Sequence, residues 1–219
     1  LLRARSEPGV CRVICFSPRH DLSLPDMPVG AIRLVVDLWA EEYERLGARP
    51  DIGHVQIFEN KGEAMGCSNP HPHGQIWAQQ SVPLEAAQEG ERLRVHHASH
   101  GRTLLEDYLG IEEKLGERVV LANDGFVALV PFWAVWPFET LVVSRRPVAN
   151  LSVLSDAERT DLAEVVNRPG SVHRERRHVA VARAPQDALA EAADGLVHHL
   201  EHHALAQLVG REALPRATA

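Results

Sequence analysis

Residues 66–75 read Gly66-Cys67-Ser68-Asn69-Pro70-His71-Pro72-His73-Gly74-Gln75. Two histidines stand one residue apart, each behind a proline, and a glutamine follows two residues after the second. Proline holds its own φ at about −65° and drives the residue before it toward extended conformations. Residues 70–73 are therefore expected to be extended. Side chains in an extended chain repeat with period two, which puts His71, His73 and Gln75 on one side.

Such a face supports a narrow chemistry. A neutral imidazole is a competent nucleophile toward phosphorus and a common metal ligand. A carboxamide beside it can donate to a phosphoryl oxygen as charge builds in a transition state. Ser68 offers a further hydroxyl donor, and Gly66 and Gly74 are expected to leave the backbone open to a ligand. A rigid turn with two hydrogen-bonded surface histidines would use the same letters. Gln75, the two prolines, and the Asn60-Lys61-Gly62 and Gly66-Cys67-Ser68 stretches upstream favour the chemical reading.

Working outward, residues 13–20 (VICFSPRH), 55–78 (VQIFENKGEAMGCSNPHPHGQIWA) and 130–143 (VPFWAVWPFETLVV) resemble the galactose-1-phosphate uridylyltransferase family of the histidine-triad superfamily. The likeness runs through most of residues 10–166, about three quarters of the chain. His-Pro-His-Gly-Gln behind Glu-Asn-Lys-Gly carries its specificity, since other histidine-triad proteins usually have His-x-His-x-His-x-x there. The resemblance implies an α+β, histidine-triad-like fold. That fold is a mostly antiparallel sheet with helices packed on one face, partially duplicated.

It also implies an activity: a UDP-glucose–hexose-1-phosphate uridylyltransferase of galactose metabolism, moving UMP from UDP-glucose to galactose 1-phosphate through a covalent uridylyl-histidine. By that likeness His73 is the nucleophile and Gln75 the donor to the phosphoryl group. Asn60, Gly66, Cys67, Ser68 and Gln75 match positions that touch the nucleotide. His20 and His71 match two ligands of a structural zinc whose other two, a Cys-x-x-Cys pair, have no counterpart here. Cys11 and Cys15 cannot replace that pair, because four residues of strand separate them by about 13 Å. Glu89 matches a carboxylate ligand of a second divalent metal, and as a bare residue it reads equally well as part of a solvated helix. The family pattern makes a homodimer the expected assembly. Two alternatives remain at this point: a nucleotide phosphohydrolase, and a truncated relative that binds nucleotide with little or no activity.

Composition bounds these readings. The 219 residues are 45% hydrophobic and 24% charged, as in ordinary globular proteins. A formal charge of −7 argues against a non-specific nucleic-acid binder, so a phosphate ligand must be held by a few local donors. Three cysteines, Cys11, Cys15 and Cys67, do not read as a disulfide framework. No apolar run has the length of a membrane span. A cytoplasmic, reduced protein is the expectation. The chain opens on Leu1 rather than Met, and against the family pattern it reads as lacking an N-terminal segment.

Element signals are clear in places. Residues 11–16 and 54–59 alternate as strands, and residues 29–46 carry Ile32, Val35, Val36, Trp39, Tyr43 and Leu46 at helical spacing. Residues 81–115 are charged and helical in character, and residues 118–122, 126–131 and 140–144 are short β candidates. The last of these, apolar and β-branched, is expected to be central in its sheet. Ser155-Asp156-Ala157-Glu158 opens a helix running to about Val166. Strand, proline loop, Leu22-Ser23-Leu24 and helix recur as strand, proline loop, Leu151-Ser152-Val153 and helix, a sign of duplication.

The expected organisation is a first half over residues 1–125 with the motif, the start of a second half over 126–166, and a divergent helical tail over 167–219. The tail's amphipathic stripe over residues 186–209 carries His198, His199, His202 and His203 at i, i+4 spacing, more suggestive of a solvated face than of a metal site. Trp133 and Trp136 are expected to pack the core or a subunit interface.

Overall fold

The computed structural model describes residues 2–63, 66–67, 69–135 and 139–167. Six strands and four helices follow in the order β1 (Gly9–Cys15), α1 (Val29–Gly47), β2 (His54–Phe58), β3 (His73–Gln79), α2 (Leu84–His100), α3 (Leu104–Leu115), β4 (Val119–Ala122), β5 (Phe126–Leu129), β6 (Leu141–Ser144) and α4 (Asp156–Asn167). Single 3-10 turns at Leu24–Asp26 and Leu151–Val153 precede α1 and α4. The predicted tail beyond Asn167, with its histidine pairs, lies outside the described residues, as does Trp136.

The strands form two antiparallel three-stranded sheets, ordered β1-β3-β2 and β4-β5-β6. The strand that begins at His73 is the middle one of its sheet, flanked on both sides by ladder hydrogen bonds. Its inward residues Ile76 and Ala78 join Ile14, Val55 and Ile57 against the buried stripe of α1. This sheet has the expected single helical cover. The second sheet departs from that expectation, because it is covered on both faces. Phe126, Ala128 and Val142 point into the core shared with α1 and α4, and Val127, Leu129, Leu141 and Val143 pack with Leu105 and Leu109 of α3. Every residue of β5 is buried as a result.

The stretch expected to be central, residues 140–144, forms β6 at an end of the β4-β5-β6 order, and β5 takes the middle. Its apolar character reflects helices above and below rather than strands on either side, which gives the same all-apolar signal in sequence.

The duplicated unit is present. In each copy a strand leads to a 3-10 turn with a buried leucine, Leu24 or Leu151, and then to a helix. The two helices pack on each other through Ile32, Val36, Leu162 and Val166. Arg33 of α1 donates to Thr160 Oγ1 at 2.7 Å and pairs with Asp156, while Arg159 reaches Asp37 at 3.3 Å. The division expected between residues 125 and 126 falls in the turn of the β4–β5 hairpin, whose strands are paired with each other.

Local signals account for the helix ends near the second sheet. Thr103 and Glu106 cap α3 reciprocally, at 3.2 and 2.8 Å, and Gly116 closes it with φ 68°. Ser155 and Glu158 form the same box at the start of α4. Among the described residues no helix is long and apolar enough to cross a membrane.

Candidate active site

The site lies where the chain enters β3. The regular strand begins at His73, not at His71. Residues 69–72 form a bend in which His71 N–H donates to Asn69 Oδ1 at 3.0 Å, and Phe16 N–H donates to the Pro72 carbonyl at 3.1 Å. The expected extended run is therefore shorter at its start, because Asn69 competes for a backbone donor as an Asx turn.

Beyond His73 the period-two argument holds. Cys15 pairs with His73, Val13 and Phe58 with Gln75, and Cys11 and Gln56 with Trp77, so these residues share the face away from α1. That face is open: Val13 is 68% and Trp77 49% exposed.

Gly74 points the other way. A Cβ there would lie 2.8 Å from Phe16 Cζ and 3.2 Å from the Phe58 carbonyl oxygen. The expectation that Gly74 clears space for a ligand is corrected: the space is taken by Phe16. Gly66 differs, with φ +79° and nothing within 4 Å of a built Cβ. Its backbone turn is closed by Gly66 N–H to the Glu63 carbonyl at 2.9 Å and Cys67 N–H to the Gly62 carbonyl at 3.2 Å.

A cavity of about 410 Å³ opens beside this turn. It is lined by Leu22 and Ser23 of the first 3-10 region, by residues 59–63 after β2, and by Cys67, Asn69, His71 and His73 of the motif. Three of the residues matched to nucleotide or catalytic positions, Asn60, Cys67 and His73, thus face one space. Gln75 is not among the lining residues; it sits one pleat further along β3 on the face of His73. Ser68 lies outside the described residues.

The orientation of His73 is specific. Its Nδ1 is 2.8 Å from the His71 carbonyl oxygen. A carbonyl only accepts, so Nδ1 carries the proton, and in the neutral ring Nε2 holds the lone pair. The ring's lone pair is thereby placed on Nε2 without any second side chain. His71 turns instead to His20: the two Nδ1 atoms are 2.8 Å apart and the rings meet edge to face at 4.4 Å.

These two convergent imidazoles are half of the four donors that a tetrahedral zinc takes. Among the described residues no group of three or more His, Cys, Asp or Glu could hold a metal ion. Cys11 and Cys15 stand exposed along β1 and do not complete the set. The residues described do not make a whole zinc site. Glu89 lies on the solvent-facing helix α2, none of whose residues is buried. It has no metal cluster about it among the described residues.

Two residues of the cavity were not given a role from sequence. Glu59, at the end of β2, is only 4% exposed, and burial pushes its carboxyl up to about 7 against the pull of Lys61. Burial lowers Lys61, while Glu59 and Asp26 hold it up. Their signal was the Glu-Asn-Lys-Gly string itself, whose charged members, Glu59 and Lys61, are of a kind ordinarily solvated at a strand end.

Comparison with known proteins shows which proteins the chain is similar to. The family model described as "Galactose-1-phosphate uridyl transferase, N-terminal domain" matches residues 1–83, and that of the C-terminal domain of the same enzyme matches residues 87–176. The chain is 46% identical over 171 residues to a galactose-1-phosphate uridylyltransferase of Kluyveromyces lactis, covering 76% of this chain and 46% of that protein. It is 48% identical over 168 residues to the one from Rattus norvegicus, covering 77% and 44%. The chain therefore spans about half the length of the curated relatives it matches. A solved uridylyltransferase mutant superposes with TM-score 0.68 at 32% identity, over 73% of this chain and 51% of that one. An ADP-glucose phosphorylase from Arabidopsis thaliana solved with ADP-glucose shares the fold, at TM-score 0.68 and 21% identity, over 76% and 53%.

Proposed function

Because this chain belongs to the galactose-1-phosphate uridylyltransferase family, we propose that its cavity transfers UMP from UDP-glucose to galactose 1-phosphate by way of His73. Nε2 of His73 attacks the α-phosphorus of UDP-glucose. A P–N bond forms, the bond to the bridging oxygen breaks, and glucose 1-phosphate leaves with the electron pair. A phosphate oxygen of galactose 1-phosphate then attacks the same phosphorus, the P–N bond breaks, and UDP-galactose leaves His73 as it began. The observation that carries this reading is the 2.8 Å contact of His73 Nδ1 with the His71 carbonyl, which leaves Nε2 as the nucleophile. The same contact stabilises the ring when uridylylation at Nε2 makes it cationic.

The remaining roles follow from position. Gln75, on the face of His73, donates its carboxamide N–H to a nonbridging oxygen; being neutral, it favours release as much as binding. Asn60, the turn at Gly66 and Cys67, and Ser68, which lies outside the described residues, hold the nucleotide phosphates and ribose. His20 and His71 act as a brace below the nucleophile and as two ligands of a partial zinc site. Glu89 is proposed to serve a second divalent metal together with ligands beyond the described residues. The acting form is a cytoplasmic homodimer.

The test is intact-mass analysis after mixing the chain with UDP-glucose. The expected result is a gain of one UMP on the unsubstituted protein, discharged by galactose 1-phosphate, and no gain on His73→Asn. Rapid UMP release without acceptor would favour hydrolysis. A protein that never gains UMP would overturn the transfer mechanism.

A further inference from the structure

We propose that Lys61 is the phosphate-contacting cation of the cavity and that Glu59 is its positioning residue. This rests on reading the cavity as a phosphate site. The argument begins with charge. The chain carries a net −7, and the cavity wall itself contains Glu59 and Glu63. An anionic diphosphate entering such a space meets repulsion unless a cation faces it. Among the described lining residues Lys61 is the one lysine or arginine.

Two carboxylates act on its ammonium. Glu59 and Lys61 flank Asn60 directly after β2, and all three line the cavity. Asp26, in the 3-10 turn whose N-cap Ser23 lies on the wall, also attracts the ammonium. A flexible four-carbon side chain attracted by two carboxylates loses some of its freedom before any ligand arrives, which lowers the entropic cost of binding.

The pairing also sets how much charge the cavity presents. With Glu59 ionised, its charge opposes that of Lys61; with Glu59 protonated, more of the Lys61 charge is available to a ligand. Burial keeps Glu59 near the point of neutralisation at about pH 7. An anion in the cavity favours the protonated form further, so Glu59 yields Lys61 to the ligand. The other ionisable groups facing this space, among the described residues, are Glu63, Cys67, His71 and His73.

A lysine that only ties the end of β2 to the 3-10 turn would affect folding and not ligands. Pyrophosphate separates the two roles, since it has the diphosphate charge without uracil or sugar. Calorimetric titration of the full chain with pyrophosphate is expected to show binding that Lys61→Met weakens about tenfold and Lys61→Arg restores to within about threefold. Unsubstituted protein should lose affinity as pH rises through about 7 more steeply than Glu59→Gln, whose charge does not change. Should Lys61→Met fail to fold, Lys61→Gln takes its place in the titration, with the same weakening expected and equal binding overturning the role of Lys61.

No pyrophosphate binding by the unsubstituted chain, or equal binding by Lys61→Met, would overturn the role of Lys61. Superimposable pH profiles would overturn that of Glu59. Mass-detected uridylylation of His73 is read separately. A UMP adduct with Lys61-independent pyrophosphate binding sinks this inference alone, and Lys61-dependent binding without an adduct sinks the transfer reading alone.

Discussion

Gly74 has no Cβ because Phe16 stands where one would be, 2.8 Å from the ring. The glycine of the His-Pro-His-Gly-Gln string is thus a packing residue between His73 and Gln75. Gly74→Ala should cost about 1–3 kcal/mol through overpacking, read as a lower urea midpoint at unchanged slope. An unchanged midpoint would mean that Phe16 swings aside freely. Glu59 makes a second residue-scale prediction. Its carboxyl titrates at about 7 in the folded chain, above the ordinary value of 4.5. The folded state therefore holds more protons between those values, and stability falls as pH rises from about 4.5 to about 7. Glu59→Gln removes that loss. It should leave stability nearly unchanged at pH 4.5 and raise it at pH 8, by on the order of 2–3 kcal/mol. Chemical denaturation at the two pH values checks this, and an equal effect at both would refute it.

At the scale of elements, α3 is fastened by a buried ion pair. Glu112 is fully buried, and Arg118 Nε donates to both its carboxylate oxygens at 2.8 and 2.9 Å. Tyr108 on the same helix accepts from Phe132 N–H at 2.8 Å, and Arg118 lies over the Phe132 ring at 5.4 Å. These contacts hold the segment after β5, where Phe132 and Trp133 remain exposed; of the two places expected for Trp133, the core or a subunit interface, the core of this chain is ruled out. Its ring instead leans on Tyr108 at 4.8 Å. Arg118→Met would strand the Glu112 carboxylate without its partner. A loss of about 3–5 kcal/mol is expected, and the double variant Arg118→Met, Glu112→Leu should recover much of it. If the single variant were as stable as the parent, the pair would not be what holds α3.

Across the whole molecule, the two repeats share one core. Ile14, Ile57 and Ile76 of the first sheet and Phe126 and Val142 of the second belong to a single cluster with α1 and α4 between them. Urea unfolding is expected to follow one transition, coincident by tryptophan fluorescence and far-ultraviolet circular dichroism. Leu162→Ala, deep in that cluster, should shift both probes together by about 2–5 kcal/mol. Two separated transitions would show that the repeats fold as independent units.

Resemblance to a family carried the α+β class; what the residues themselves determined unaided was most element positions and the shared face of His73 and Gln75. Those features rest on spacing and local torsion, which are properties of a short stretch of chain. The duplication was legible for the same reason, as two similar strings of letters. Other decisions needed distant segments to meet. Phe16 filling the space at Gly74, His20 meeting His71 from 51 residues away, and α3 covering the second face of the β4-β5-β6 sheet depend on packing between segments. So does the inward turn of Glu59 and Lys61, since a charged residue at a strand end is ordinarily solvated. Only burial by the rest of the fold moves that carboxyl toward neutrality, and burial is a property of the assembled structure.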